Sequence, residues 1–215
     1  MLIYKSILPD HSLLAFWKME ETEEQLYTMC DLHDEDLKVI ANNSAHKRRI
    51  ELLSVRALLK AVGINQTIHY NDRKPYLDNG YISISHSTDF AAIIYSPEHP
   101  VGIDIEKVSP KIQNIASRVF SDKELAAADG DLEKLTVLWN CKECVVKLAN
   151  NDGIDFREMI DVDMPSDFSL QDNIIIHCTL KKTEHTKVFL LSAMKIEGNM
   201  VVWGRLDDWT GGRQI

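Results

Sequence analysis

Val101-Gly102-Ile103-Asp104-Ile105-Glu106 stands near the middle of the chain, just after Pro100, and alternates apolar and acidic residues. That alternation has the period of a β-strand, so Asp104 and Glu106 are expected on one face of it. Two carboxylates on one face of a buried strand repel each other. They call for a compensating positive charge, and a divalent cation meets that need through oxygen ligands. The rest of the chain is therefore read for a third ligand, a substrate cradle and a reaction.

The totals narrow the field. The chain has 215 residues, 45% hydrophobic and 27% charged, with a net charge of −9. This describes a globular protein with ample core, in one large or two small domains. The acidity speaks against a general nucleic-acid binder, while leaving room for a local basic site that takes a phosphorylated small molecule. No apolar run approaches the roughly 20 residues of a membrane span, and the first residues show no export signal. The four cysteines are too few for a disulfide scaffold, so a reduced cytoplasm is expected.

Working outward from the central stretch, residues 67–70, 81–85 and 90–95 read as strands. Turns are expected over Asn71–Pro75 and Asp78–Gly80. Earlier in the chain, residues 2–8 and 13–19 read as strands, and 21–29 and 33–40 as acidic helices. A longer helix runs to Gly63, with Ile50, Leu53, Ala57 and Ala61 on its core face. Arg49, Arg56 and Lys60 form a second stripe on that helix, expected to be a solvated basic face.

After Pro110 the pattern turns helical. Ser121-Asp122-Lys123-Glu124 is a capping box, and Asp131 can cap a long helix to Leu148. Strands return at 174–180, 188–194 and 200–205, and residues 211–215 read as a frayed end. Strand, helix and strands are followed by strand, helix and strands. The expected fold is thus α+β, in two pseudo-symmetric halves, 1–100 and 101–215. Each is a small, mostly antiparallel sheet packed with helices.

The long helix holds Trp139-Asn140-Cys141-Lys142-Glu143-Cys144-Val145-Val146-Lys147. Glu143 and Lys147, four residues apart, share a face. Alone they would be a surface ion pair. Beside Asp104 and Glu106 they supply a third carboxylate for a hard cation such as Mg²⁺ and a lysine to face a phosphate on that ion. Ile84-Ser85-His86-Ser87 ends a strand with hydroxyls around an imidazole, a polar mouth able to donate to an anion. Cys141-x-x-Cys144 lies inside the helix and lacks a second Cys/His pair, so it reads as core, neither zinc site nor redox pair.

Gly102-x-Asp104-x-Glu106, then Phe120-Ser121-Asp122-Lys123-Glu124 and Trp139-x-x-Lys142-Glu143-x-x-x-Lys147, resemble the signature of the 4′-phosphopantetheinyl transferases. Lys74-Pro75 and Ile84-Ser85-His86-Ser87 resemble the surfactin-synthetase-type branch, a long form with two halves in one chain. The resemblance spans roughly residues 38–147. It implies transfer of the 4′-phosphopantetheine arm of coenzyme A to a serine of an acyl or peptidyl carrier protein, releasing adenosine 3′,5′-bisphosphate. It further implies that Asp104, Glu106 and Glu143 hold Mg²⁺ on the pyrophosphate and that Lys147 contacts phosphate. By the same resemblance His86 meets the coenzyme's phosphates, Ser85 beside it is a further coenzyme-binding residue, Lys74 and Pro75 border the adenine, and Lys38 and Arg56 are further cations on the coenzyme side. The first half would then hold the coenzyme and the second the metal and the catalytic helix. A monomer is implied, because the site lies between halves of one chain.

The general base stays open at this stage between Glu143 and a water on the metal. Where the family often has glycine, asparagine and alanine, this chain has Arg73, Ser83 and Cys144. A Mg²⁺-dependent phosphodiester hydrolase and a non-catalytic coenzyme A-binding protein are the alternatives. The first would want a basic track and the second a lost ligand.

Overall fold

The computed structural model describes residues 1–72, 74–149, 153–165, 168–169, 174–181 and 186–206. Arg73 and the end expected to fray, 211–215, lie outside the described residues. The first half begins with a hairpin of β1 (Leu2–Ile7) and β2 (Leu13–Lys18), followed by three helices, α1 (Glu23–Met29), α2 (Asp34–Ala41) and α3 (His46–Val62). A small hairpin of β3 (His69–Asn71) and β4 (Lys74–Tyr76) leads into β5 (Tyr81–His86) and β6 (Phe90–Ser96). The second half opens with β7 (Val101–Lys107). Three helices follow, α4 (Gln113–Val119), α5 (Asp122–Ala128) and α6 (Leu132–Ala149). After them come the short α7 (Phe156–Met159) and β8 (Ile160–Asp163), β9 (Ile174–Lys181), β10 (Thr186–Ile196) and β11 (Asn199–Arg205).

The fold is α+β with antiparallel sheets, as the strand-rich, short-turn sequence requires. One sheet runs β1-β2-β6-β5 and the other β7-β11-β10-β9-β8. Alternation along the strands sorts side chains into three cores. Leu13, Ala15, Trp17, Ala91 and Ile93 face α3. Their neighbours Leu14, Phe16, Phe90, Ala92 and Ile94 face Val101, Ile103, Ile105, Val201 and Trp203 of the other sheet. Met200, Val202, Leu191 and Cys178 face Leu138, Cys141, Cys144 and Val145 of α6. The order of layers is helix, sheet, sheet, helix. Ile103 and Ile105 are spent on the sheet-to-sheet core, which leaves Gly102, Asp104 and Glu106 on the α6 side of β7.

Local chemistry fixes the helix ends. Gly63 closes α3 at φ 87°, where a left-handed residue is needed. Ser121 and Glu124 close the expected capping box on α5. Asp131 Oδ1 accepts from the N–H of Glu133 at 2.7 Å and so starts α6. Among the described residues no helix is long and apolar enough to cross a membrane.

Four expectations change. Ala61 is exposed, and α3 instead buries Leu52 through Leu59 because helices cover it opposite the sheet. The basic stripe of α3 is not a solvated face. Arg49 pairs with Glu23 of α1, Arg56 with Asp36 of α2, and Lys60 with Asp31 between those helices, at 2.7, 2.7 and 2.6 Å. The segment read as a turn to Pro75 already forms β4 from Lys74, because Asp72, at φ 54°, makes a tighter reversal. Strand β8 was not expected at all. It is four residues long and is held by pairing with β9.

Candidate functional site

β7 is the outer strand of its sheet, and α6 crosses directly over it. The crossing depends on Gly102, since a Cβ there would meet Leu148 Cγ at 2.8 Å, Cys144 O at 3.0 Å and Cys144 Sγ at 3.1 Å. The glycine of the central stretch therefore sets how near α6 can come. At that approach Lys147 Nζ donates to Ile103 O and to Asp104 Oδ1, both at 2.8 Å. The helix also carries a second lysine, turned the other way. Lys142, fully buried, pairs with Glu124 at 2.9 Å and donates to Phe156 O and Ile160 O at 2.7 Å. That anchor fixes the rotation of α6 and so the side to which Glu143 and Lys147 point.

Asp104 is 4% exposed. Its Oδ1 takes Ser85 Oγ, at 2.8 Å, as well as Lys147. Its Oδ2 is buried with no hydrogen-bond partner. Burial, the charge of Asp104 and that of Glu143 push the Glu106 carboxyl up to about 7, against the pull of Lys147. Burial and Asp104 raise Glu143 as well. Burial alone would lower Lys147, but Asp104 and Glu143 outweigh it and hold the amine above its ordinary value, hence protonated. Three carboxylates thus feel one another across β7 and α6, with Lys147 between them.

Among the described residues no group of three or more His, Cys, Asp or Glu side chains stands close enough together to hold a metal ion as it is. The chemistry of the cluster nonetheless fits a hard divalent cation. The donors are carboxylate oxygens, one is orphaned, and a second carboxyl is pushed up to about 7 by burial and by its acidic neighbours. Asp104, Glu106 and Glu143 are the residues that would hold it.

His86 ends β5 in the same neighbourhood. Its Nε2 is buried without a partner. Burial, with Arg48 adding to it and Glu51 opposing, lowers its pKa to about 4, and Lys147 is near enough to contribute. His86 thus faces the first turns of α3. Lys47 of that same turn lies within electrostatic reach of Glu106. Neither Lys47 nor Arg48 was singled out from sequence. The signal was their place at the very start of a long helix whose other cations sit further along.

The other expected site residues are carried by β4, α2 and α3. Lys74 and Pro75 sit on β4, with Lys74 exposed and paired in register with Asn71. Lys38 is exposed on α2. Arg56 is not brought to the cluster. Its guanidinium is 4% exposed and is committed to Asp36 and to Leu52 O. Cys141 and Cys144 are free, fully buried and have thiols pushed up by burial, as a core role demands.

Residues 100–195 match the family model of the 4′-phosphopantetheinyl transferase superfamily. The chain is also similar to the 4′-phosphopantetheinyl transferase gsp of Aneurinibacillus migulanus, 32% identical over 107 residues, which is 45% of each chain. The match thus spans just under half the length of that relative. Across residues 100–195, the segment that carries Asp104, Glu106, Glu143 and Lys147, the chain therefore shares the 4′-phosphopantetheinyl transferase superfamily's sequence pattern, and the resemblance read from its motifs is borne out.

Proposed function

We propose that this chain transfers the 4′-phosphopantetheine arm of coenzyme A to a serine of an acyl or peptidyl carrier protein and releases adenosine 3′,5′-bisphosphate. The observation that carries the reading is Asp104, buried between Ser85 and Lys147 with Oδ2 bare, and flanked by two carboxylates whose proton affinity is raised. Bound by Asp104, Glu106 and Glu143, Mg²⁺ would offset the charge of the coenzyme's pyrophosphate. Lys147, protonated and held by Ile103 O, faces the same anion and steadies the leaving phosphate.

The carrier serine's oxygen bonds to the phosphorus that bears pantetheine. The bridging P–O bond breaks, and the electron pair leaves on adenosine bisphosphate. Glu143, directly or through a water, takes the serine's proton. His86, with a buried donor-capable nitrogen beside Arg48, receives a phosphate of the coenzyme. Residues 1–100 serve the coenzyme through His86, Lys74 and Pro75, and residues 101–215 bear the ligands and α6. The enzyme acts as a cytoplasmic monomer.

Incubation with coenzyme A, with and without an apo carrier, tests this against hydrolysis. Adenosine 3′,5′-bisphosphate released only when the carrier is present supports transfer. Equal release without carrier contradicts it.

A further inference from the structure

Ser85 joins the two halves at Asp104. Its Oγ donates to Asp104 Oδ1 at 2.8 Å and accepts from the Ile105 N–H at 3.3 Å. Two residues earlier, Ser83 Oγ accepts from the Ile103 N–H at 3.1 Å. β7 pairs with β11 along one edge, and these hydroxyls of β5 satisfy N–H groups on its other edge, where a further strand's carbonyls would otherwise lie. Ser83 and Ser85 are both buried. They are thus built into the seam between the sheets and do not line an open mouth.

A hydroxyl has one proton to give. Ser85 gives it to Asp104, so none remains for a phosphate oxygen, which only accepts. Lys147, from the second half, donates to the same Oδ1. Two donors arriving on one oxygen from opposite halves fix the plane and the sense of the carboxylate. Oδ2 is thereby left buried and without a partner.

The geometry points to Ser85 as a positioning residue that holds Asp104 with Oδ2 presented to a divalent cation, and not as a direct contact of the coenzyme. This rests on the reading of Asp104 as a metal ligand. Hydrogen-bond partners that orient a ligand set metal affinity by about 10–100-fold.

The test is Mn²⁺ titration of the full chain saturated with coenzyme A, followed by electron paramagnetic resonance of free Mn²⁺. Alongside it, coenzyme A affinity is measured in a chelator. Ser85→Ala is expected to weaken Mn²⁺ at least about tenfold, with coenzyme A affinity in the chelator unchanged. Ser85→Cys, which keeps the shape but is a weak donor, is expected to weaken Mn²⁺ likewise and covers the case in which the alanine variant does not fold. Unchanged Mn²⁺ affinity in a folded variant overturns the proposal. So does a loss of metal-free coenzyme A affinity with Mn²⁺ affinity intact, which would make Ser85 a coenzyme contact. Carrier modification by the wild-type chain reports separately on the transferase reading. Ser85-dependent Mn²⁺ binding without transfer removes that reading and leaves Ser85's role standing.

Discussion

The two long helices treat charge in opposite ways. Each lies on its own sheet, α3 on the first and α6 on the second. Along α3, Arg49, Arg56 and Lys60 each meet an acid from the segment that covers the helix. On α6, Lys142 is matched in the same way by Glu124. From the next residue on, Glu143 and Lys147 face Asp104 and Glu106, and there the negative charge is in excess. Matched charges hold helices to their neighbours. An unmatched buried cluster costs stability and persists where a ligand is to complete it.

That contrast can be broken at either helix. The largest effect is expected at Asp104. Asp104→Ala removes the shared centre of the α6 cluster and should lower kcat/KM for transfer by the folded variant by about 10³-fold or more. Retained transfer would remove Asp104 from the chemistry. Arg56→Ala should do the reverse. Breaking a buried pair leaves Asp36 uncompensated and costs about 3 kcal/mol in denaturant unfolding, while kcat of the folded enzyme stays near wild type. A fall in kcat with stability intact would return Arg56 to the site.

Those two helices also differ in how far the sequence exposed them. The α6 site was legible because its residues are neighbours by simple periods. Asp104 and Glu106 are two apart on a strand, Glu143 and Lys147 four apart on a helix. The partners of α3 were not, because Asp31, Asp36 and Glu23 are 20 to 29 residues away from the cations they meet, and no local period joins them. The α+β class was readable from strand alternation and turn residues. The hairpin at Lys74 and strand β8 were missed because short strands exist only through their pairing. Ser85 reads as part of a polar strand end, since nothing in 81–86 announces that the hydroxyls of Ser83 and Ser85 cross to β7.

A smaller effect separates the carboxylates. Glu106 is raised in the folded state to about 7, so the folded metal-free protein binds the extra proton. The contribution of this carboxyl to stability is then fully present below about pH 4.5 and is lost as pH rises through about 7. Glu106→Gln should flatten that dependence and stabilise the metal-free protein by about 1–2 kcal/mol at pH 8, a gain that the matched acids of α1 and α2 would not give. No gain at pH 8 would mean that the cluster is already compensated.

The smallest effect belongs to His86, whose folded pKa of about 4 lies below its ordinary value. The unfolded chain takes up the proton first, so stability should fall by about 1 kcal/mol as pH drops from 6.5 to 5. His86→Gln should abolish that slope. Saturation with coenzyme A should draw the imidazole pKa back up, read from its NMR titration, if a phosphate sits beside Nε2. An unmoved titration would place the phosphates elsewhere.

The most direct test of the central claim is the intact mass of an apo carrier protein after incubation with coenzyme A and Mg²⁺, using the wild-type chain and Asp104→Ala in parallel. The expected result is one added phosphopantetheine with the wild-type chain and none with the variant. An unmodified carrier with the wild-type chain, across carriers from different pathways and with coenzyme A shown to bind, would contradict it.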